Sequence, residues 1–382
     1  MRAIIAAGGT GGHIYPALAV ADKIKTEQPD SEILFIGGMR GMEKTVVPER
    51  GYPIKLVDVR GFSRKQPHKN LGAAAALLKA GRVIKGILRD FRPDAVIGAG
   101  GYVSGPVVRT AAKCGHRAFI HEQNAWPGLA NRLAERYAEK VFLAFEEGKK
   151  HFKDQSKLVV SGNPIRREFI AADGADCRKK LGAGENETVI LCFGGSLGAG
   201  TLNTAFSDIL EELHRLGDVR AFLITGTRYY PETLAKAAAW IGEGGAEDVG
   251  GASRAFQTKD GRVRLMEYAD DIHEYMAASD LVIARSGALT VSEITACGKA
   301  SILAPSPNVT GNHQYHNAKT VADKGGALII SEENLTGMKL LEMISRLKND
   351  KEIIGRMSAA SAALGRFDAA DVIYEHIVGG RR

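Results

Sequence analysis

A histidine closes a tight cluster of glycines near the start of this chain. Gly8, Gly9, Gly11 and Gly12 fall within five residues, with Thr10 between them, and His13 follows directly. Glycines let the backbone approach a ligand closely. A helix opening at this point offers unpaired N–H groups and a partial positive charge to a phosphate. A histidine at the same edge can move a proton near neutral pH. Together these residues suit the departure of a phosphorylated group with a base beside it.

Two more glycine segments repeat the theme. Gly98-Ala99-Gly100-Gly101-Tyr102-Val103-Ser104-Gly105-Pro106 and Cys192-Phe193-Gly194-Gly195-Ser196-Leu197-Gly198-Ala199-Gly200 each follow an apolar run and precede a helical pattern. Neither the dinucleotide fingerprint nor the Walker loop is present. Counted from Gly9, G-x-G-x-x-G would need glycine where Ile14 stands, and no G-x-x-x-x-G-K-[ST] occurs. Three such loops at the carboxyl ends of parallel strands mark the edge where open α/β sheets bind ligands.

Other polar clusters fall at similar places. His121-Glu122-Gln123-Asn124 follows the run Ala118–Ile120; it reads either as a solvated loop or as a group that bonds sugar hydroxyls and tunes a base. Arg285-Ser286-Gly287-Ala288-Leu289-Thr290-Val291-Ser292-Glu293 opens a helix whose first turn could hold a phosphate. Glu293 there could accept both ribose hydroxyls of a nucleotide, or be a surface glutamate. Asn312-His313-Gln314-Tyr315 precedes another helix and puts Gln314 in reach of a sugar. The absence of any Asp-x-Asp pair favours a leaving group stabilised by helix N-termini and backbone N–H groups rather than by a metal.

These residues need strands and helices to place them. Strand-like runs are Arg2–Ala7, Glu32–Ile36, Asp94–Ile97, Ala118–Ile120, Val141–Leu143 and Leu158–Val160. A second series is Thr188–Phe193, Val219–Ile224, Arg262–Met266, Leu281–Ile283, Ser301–Leu303 and Ala327–Ile330. The runs are continuously apolar, as strands covered on both faces are, and helical patterns separate them. The expectation is an α/β protein of two Rossmann-like domains whose parallel sheets face a central cleft. The break falls at Ser161-Gly162-Asn163-Pro164, giving domains 1–162 and 163–365. A final helix over about 366–382, with Asp368 as N-cap, packs back on the first domain. Gly242–Thr258, rich in glycine and alanine, reads as a mobile surface excursion.

The bulk numbers bound the function. With 382 residues, 45% of them hydrophobic, the chain fills two packed domains. The net charge of +7 fits phosphorylated substrates or an anionic surface, while 7% aromatics without basic interleaving argue against nucleic acid. Cys114, Cys177, Cys192 and Cys297 are too scattered for a zinc site or a disulfide framework, which fits a reducing cytoplasm. No apolar run is long enough to span a membrane, so membrane contact would be peripheral. Over Lys65–Asp90, Leu71, Leu77, Leu78, Ile84, Ile87 and Leu88 alternate with Lys65, His68, Lys69, Lys79, Arg82, Lys85 and Arg89. That segment either lies on an anionic membrane or packs its apolar face on the sheet.

The combination resembles one family, the MurG glycosyltransferases, which add N-acetylglucosamine to undecaprenyl-pyrophosphoryl-N-acetylmuramyl-pentapeptide. The matching stretches are residues 8–17, 100–106, 121–124, 162–166, 194–199 and 285–293, in family order across most of the chain. The resemblance implies the GT-B fold and an inverting transfer to the 4-hydroxyl of the lipid-linked muramyl sugar. By the same resemblance, Thr10, Gly11 and Gly12 lie beside the donor diphosphate and sugar, and Asn124 and Gln314 contact the N-acetylglucosamine. Arg166 and Ser196 sit at the donor phosphates. Ala288 to Glu293 form the nucleotide helix, with Glu293 on the ribose. Where the family commonly has isoleucine to read the uracil through its backbone, Ala269 stands here.

On this reading His13 is the general base, assisted by His121 or Glu122. Gly100, Gly101, Tyr102 and Ser104 take the acceptor pyrophosphate. No cofactor is required, a divalent ion being an optional aid. The partners are UDP-N-acetylglucosamine, the undecaprenyl-linked muramyl-pentapeptide and an anionic membrane surface, at the cytoplasmic face of the plasma membrane. Two alternatives stay open: a GT-B glycolipid glycosyltransferase with another acceptor, and a non-catalytic UDP-sugar-binding protein.

Overall fold

The apolar runs become the central strands because both of their faces are covered. In a computed structural model describing residues 1–59, 70–195, 198–241, 246–248 and 253–379, β1 (Arg2–Ala6) sends Ile4 and Ala6 to one core and Ala3 and Ile5 to another. Alternate residues point to opposite faces of a strand, so a strand between two helical layers must be apolar throughout.

Contacts divide the chain into two compact units, Met1–Arg166 with Arg366–Arg382, and Arg167–Gly365. Unit 1 holds β1, β2 (Glu32–Gly38), β3 (Ile54–Val57), β4 (Ala95–Gly98), β5 (Arg117–Glu122), β6 (Lys140–Leu143) and β7 (Leu158–Val160). They form one parallel sheet in the order β3-β2-β1-β4-β5-β6-β7. The order reverses between β1 and β4, and the glycine loops 8–12 and 98–101 leave those two neighbouring strands. A crevice for ligands opens at such a switch point.

Unit 2 holds β8 (Thr188–Phe193), β9 (Val219–Ile224), β10 (Ala246–Asp248), β11 (Ala255–Thr258), β12 (Val263–Met266), β13 (Leu281–Ala284), β14 (Ala300–Leu303) and β15 (Ala327–Ile329). The sheet order is β10-β11-β12-β9-β8-β13-β14-β15. Its switch lies between β8 and β13, and the loops at 194–200 and 285–288 leave those strands. The same rule thus places two glycine-containing loops at the switch of each sheet.

Three strands depart from the sequence reading. β3 is a short edge strand in which only Val57 is buried, too weak an apolar run to register. β10 and β11 correct the reading of Gly242–Thr258 as a mobile excursion. β11 pairs antiparallel with β12 and β10 with β11, and Ala255 and Thr258 are buried. Residues 242–245 and 249–252 of that stretch lie outside the described residues.

Two helices complete the frame of unit 1. The Ala369–Val378 helix belongs to it, with Ile373 and Ile377 fully buried in the core that contains Ile5, Ile14, Phe119 and Phe142. Each buried isoleucine contributes about 1.5–3 kcal/mol. Asp368 precedes this helix, but its side chain makes no capping bond. The basic segment contains the Asn70–Phe91 helix. Ile84 and Leu88 face the sheet core and Ile87 packs against it, while Lys79, Arg82, Lys85 and Arg89 are exposed. Over this part the apolar face is therefore covered by the protein itself. The side chains of residues 70–78, and all of Lys65, His68 and Lys69, lie outside what is described.

Candidate active site

In unit 1 the first glycine loop is shaped from below by a carboxylate. Glu43, 1% exposed, accepts from the Gly9 N–H at 3.0 Å and the Gly38 N–H at 2.8 Å. Glycines surround it: a Cβ at Gly8, Gly37 or Gly41 would fall 2.7 Å or less from its side-chain atoms. The loop then turns into the Gly11–Glu27 helix, with Thr10 exposed at the N-cap. Because Gly9 gives its N–H to Glu43, the donors this loop can offer an anion are those of the helix's first turn.

His13 stands in that first turn. Its Nδ1 lies 3.1 Å from the Gly8 carbonyl, an acceptor only, so Nδ1 carries a proton and donates. In the neutral ring the lone pair is therefore on Nε2, the atom a general base would use. Thr10 Oγ1 is 3.5 Å from the same Nδ1.

The glycine loop after β4 presses against this histidine. Gly100 has φ +97°, and a Cβ there would lie 2.3 Å from His13 Cδ2. Gly101 has φ +79°, and its Cβ would lie 2.2 Å from the Gly8 carbonyl oxygen. Both positions demand glycine on conformation and on space. Tyr102 is 69% exposed, but Ser104 is fully buried, its hydroxyl packed against Gly98. Ser104 therefore cannot touch a ligand at this surface, which corrects its reading as a pyrophosphate contact.

Residues 121–124 are more deeply set than a solvated loop. His121 is 1% exposed; its Nε2 donates to the Gly162 carbonyl at 3.2 Å and its Nδ1 accepts from Gln123 Nε2 at 3.0 Å. Burial pushes its pKa down to about 4, so the ring is neutral. Glu122 is 2% exposed and accepts from the N–H groups of Asn124 and Gly128 and from the side-chain amides of Asn131 and Asn124. Burial raises its pKa, against those hydrogen bonds. With its oxygens so engaged, Glu122 acts as the hub of loop 122–131, and Asn124 stands half-buried beside it. Neither His121 nor Glu122 has a free edge with which to take a substrate proton. Arg166, half-buried, is the last residue of this stretch of unit 1.

In unit 2 the loops are joined chiefly through backbone. The Ala288–Ala296 helix starts after β13 with Gly287 at its N-cap, and its first-turn N–H groups face the sheet's carboxyl edge. Leu289, Thr290 and Ser292 are half-buried; Ala288, Val291 and Glu293 are buried. Ser286 Oγ donates to the Gln314 carbonyl at 2.9 Å, and Gln314 Oε1 accepts from the Ser306 N–H at 2.8 Å. The Gln314 NH₂ is then the group with donors for a ligand. Ala269, buried, follows β12. Ser196 lies outside the described residues.

Arg285 is an ion-pair partner rather than a free cation. It pairs through both terminal nitrogens with Glu332 and donates to the Ala304 carbonyl at 3.0 Å. The guanidinium holds the Glu332 carboxyl below the usual carboxylate range. Three residues of consequence were missed in the sequence: Glu43, Gln123 as a side chain of its own, and Glu332. For Glu43 a signal existed in Gly37-Gly38 and Gly41 crowding one glutamate after a strand.

Comparison with known proteins bears on the whole chain. The family model for the Glycosyltransferase family 28 N-terminal domain matches residues 3–143, and that for the Glycosyltransferase family 28 C-terminal domain matches 189–373. Among curated relatives, the UDP-N-acetylglucosamine--N-acetylmuramyl-(pentapeptide) pyrophosphoryl-undecaprenol N-acetylglucosamine transferase of Alkaliphilus oremlandii is 41% identical, covering 99% of this chain and 98% of its own. The protein of the same name from Acetivibrio thermocellus is 40% identical, covering 99% and 97%. Among solved structures, Acinetobacter baumannii MurG superposes with a TM-score of 0.75 at 27% identity over 98% of both chains. A UDP-GlcNAc 2-epimerase from Neisseria meningitidis, bound to UDP-GlcNAc, gives 0.66 at 15% identity over 99% and 100%, a likeness of fold alone.

Proposed function

This chain belongs to glycosyltransferase family 28, among its MurG enzymes of GT-B architecture, and from that premise we infer that it moves N-acetylglucosamine from UDP-N-acetylglucosamine to undecaprenyl-pyrophosphoryl-MurNAc-pentapeptide. The transfer is an inverting one that creates a β-1,4 bond. The acceptor's 4-hydroxyl attacks the anomeric carbon from the face opposite UDP. As the carbon–oxygen bond to UDP breaks, its electron pair leaves with the diphosphate.

The observation that carries the residue assignment is the tautomer of His13. With Nδ1–H given to Gly8, Nε2 carries the lone pair of the neutral ring and is the atom to take the hydroxyl's proton. His121 and Glu122 support this reading as positioning groups that hold the loops after β4 and β5. The leaving diphosphate gathers negative charge, which the first-turn N–H groups of the Ala288–Ala296 helix are built to stabilise. Glu293 takes the ribose hydroxyls, Gln314 and Asn124 the N-acetylglucosamine, and Arg166 and Ser196 the phosphates. Thr10, Gly11 and Gly12 line the sugar side. Gly100, Gly101 and Tyr102 form the surface for the acceptor pyrophosphate.

The test is transfer of labelled N-acetylglucosamine from UDP-N-acetylglucosamine by the purified chain. Label is expected on a muramyl-pyrophosphoryl-lipid acceptor. Label on a diacylglycerol acceptor instead would favour another glycolipid glycosyltransferase, and nucleotide binding without UDP release would leave a binding protein.

The lipid acceptor also calls for a membrane surface at the cytoplasmic face. No helix among the described residues is long and apolar enough to cross a bilayer. Support for peripheral attachment comes from three helices of unit 1, Gly101–Lys113 packing against both Asn70–Phe91 and Leu129–Ala134. They expose Val83, Tyr102, Leu129 and Leu133 as well as Lys79, Arg82 and Arg109, and exposed Arg136 follows the last of them in the chain. Apolar side chains within a basic surround suit an anionic lipid surface. Binding to anionic vesicles should weaken as salt rises, and no binding at low salt would remove the proposal.

A further inference from the structure

We propose that Gln123 is a positioning residue for His13, its Oε1 stabilising the imidazolium that forms when His13 takes the proton of the attacking hydroxyl. The inference rests on His13 being the base.

Gln123 follows β5 and is 1% exposed. Its amide has one workable orientation. Nε2 donates to the Ala99 carbonyl at 2.9 Å and to His121 Nδ1 at 3.0 Å. The rotated amide would set oxygen against the Ala99 oxygen. His121 Nδ1 is an acceptor because Nε2 of that ring donates to Gly162. So fixed, Gln123 Oε1 is buried and accepts no hydrogen bond among the described residues. Buried acceptors without a donor are uncommon and ask for an explanation.

The explanation lies at Gly100. A Cβ on that residue would sit 3.0 Å from Gln123 Oε1, 2.3 Å from His13 Cδ2 and 2.9 Å from His13 Nε2. The orphaned oxygen and the Nε2 edge of the imidazole therefore flank one spot, which glycine alone leaves open. In the reaction the hydroxyl O–H bond breaks, its oxygen bonds to the anomeric carbon, and the proton ends on Nε2. The resulting cation lies in the first turn of a helix, where the macrodipole opposes it. The Gly8 carbonyl meets it at Nδ1, and the amide dipole of Gln123 puts its negative end at the opposite edge. Donation by Gln123 Nε2 to two acceptors polarises that dipole further.

Among the described residues, five ionisable groups placed on this and the neighbouring elements do not take this role. His121 on β5 is neutral at physiological pH. Glu122 is held by donors of its own loop. Glu43 lies behind Gly8 and Gly9, bound to backbone N–H groups. On the Ala369–Val378 helix, Asp371 pairs with Lys23, well along the Gly11–Glu27 helix. Arg2 of β1 pairs with Glu32 at the opposite end of its strand.

The test is an NMR titration of the full chain labelled in histidine, without substrates, with the His13 signal identified by its loss in His13→Ala. Gln123→Met keeps the side chain's length and removes the oxygen; the proton affinity of His13 should fall roughly tenfold. Gln123→Glu brings a full negative charge and should raise it. The acid limb of kcat/KM should move in the same directions. A His13 titration unmoved in folded Gln123→Met overturns the proposal. Should that variant not fold, a titration unmoved or lowered in Gln123→Glu overturns it. Turnover of His13→Ala reports separately on the base: wild-type turnover there sinks that reading whatever the titration does, while lost turnover with a titration indifferent to Gln123 sinks only the present one.

Discussion

Beneath the glycine loops of unit 1 lie ionisable side chains and their hydrogen-bond partners: Glu43 under Gly8 and Gly9, His13 and Gln123 against Gly100, and His121 bonded to Gln123 with Glu122 next to it in the chain. Beneath the glycines of the corresponding loop in unit 2 lie neutral neighbours. A Cβ at Gly198 would fall 2.0 Å from the Thr225 carbonyl oxygen, and one at Gly200 would fall 2.9 Å from the Tyr229 ring. The Arg285–Glu332 pair near the unit 2 switch cancels its own charge. One strand order thus supports two kinds of loop. On the proposed assignment the first handles a proton and the second holds an anion by main-chain donors. Topology alone sets where the chemistry occurs; the buried side chains behind each loop set which chemistry it is.

If that contrast is right, the largest effect belongs to the proton. His13→Ala should lower kcat by roughly 10²–10⁴-fold with the KM for UDP-N-acetylglucosamine nearly unchanged. Steady-state kinetics of the folded variant checks it, and near-normal turnover breaks the comparison at its root.

A matched pair of glycine substitutions sharpens it. Gly100→Ala forces a methyl against His13 and Gln123 at a positive φ, with strain of roughly 1–3 kcal/mol. The loss should appear chiefly in kcat. Gly198→Ala forces a methyl onto the Thr225 carbonyl and should raise the KM for the nucleotide sugar instead. The same split between kcat and KM in both variants would show that the loops do not differ in role.

Acid should find unit 1 first. His121 has a folded pKa of about 4 against an ordinary value of 6.5. The unfolded chain therefore binds the extra proton between those values, and stability falls as pH drops through that window, by up to about 3 kcal/mol. Glu122, with a raised pKa, runs the other way: its contribution is present below the ordinary carboxylate value and lost as pH rises through the folded one. Denaturant titrations from pH 7 to pH 4 should show the His121 loss, and His121→Gln should flatten it. A wild-type slope in that variant would assign the acid sensitivity elsewhere.

The smallest effect tests the carboxylate behind the first loop. Glu43→Gln keeps the shape but turns one acceptor into a donor facing the N–H of Gly9 or Gly38. The expected loss of stability is about 1–3 kcal/mol, measured by denaturant unfolding. An unchanged midpoint would mean the loop holds its form without Glu43.

What could be read in the chain follows from how local each signal is. The central strands were legible because burial on both faces writes an uninterrupted apolar run, as in Ala3-Ile4-Ile5-Ala6. The glycine loops were legible because positive φ and close approach restrict those positions to one residue type. β3, β10 and β11 were not, since strands at or next to a sheet edge owe their place to a partner rather than to their own composition. The same holds for side chains. Nothing near Glu43 in sequence reveals that its partner is Gly9, and nothing beside His121 reveals Gly162. His121 and Glu122 looked like candidate reactants because their types are reactive. Their burial and saturated hydrogen bonds, set by residues up to 41 positions away, make them supports.

The helix Ala369–Val378 has a consequence for biosynthesis. Unit 2 is continuous in the chain, whereas Ile373 and Ile377, which complete the core of the unit begun by Met1–Arg166, are synthesised only after all of unit 2. The nascent N-terminal sheet must therefore wait with one flank uncovered while unit 2 is made.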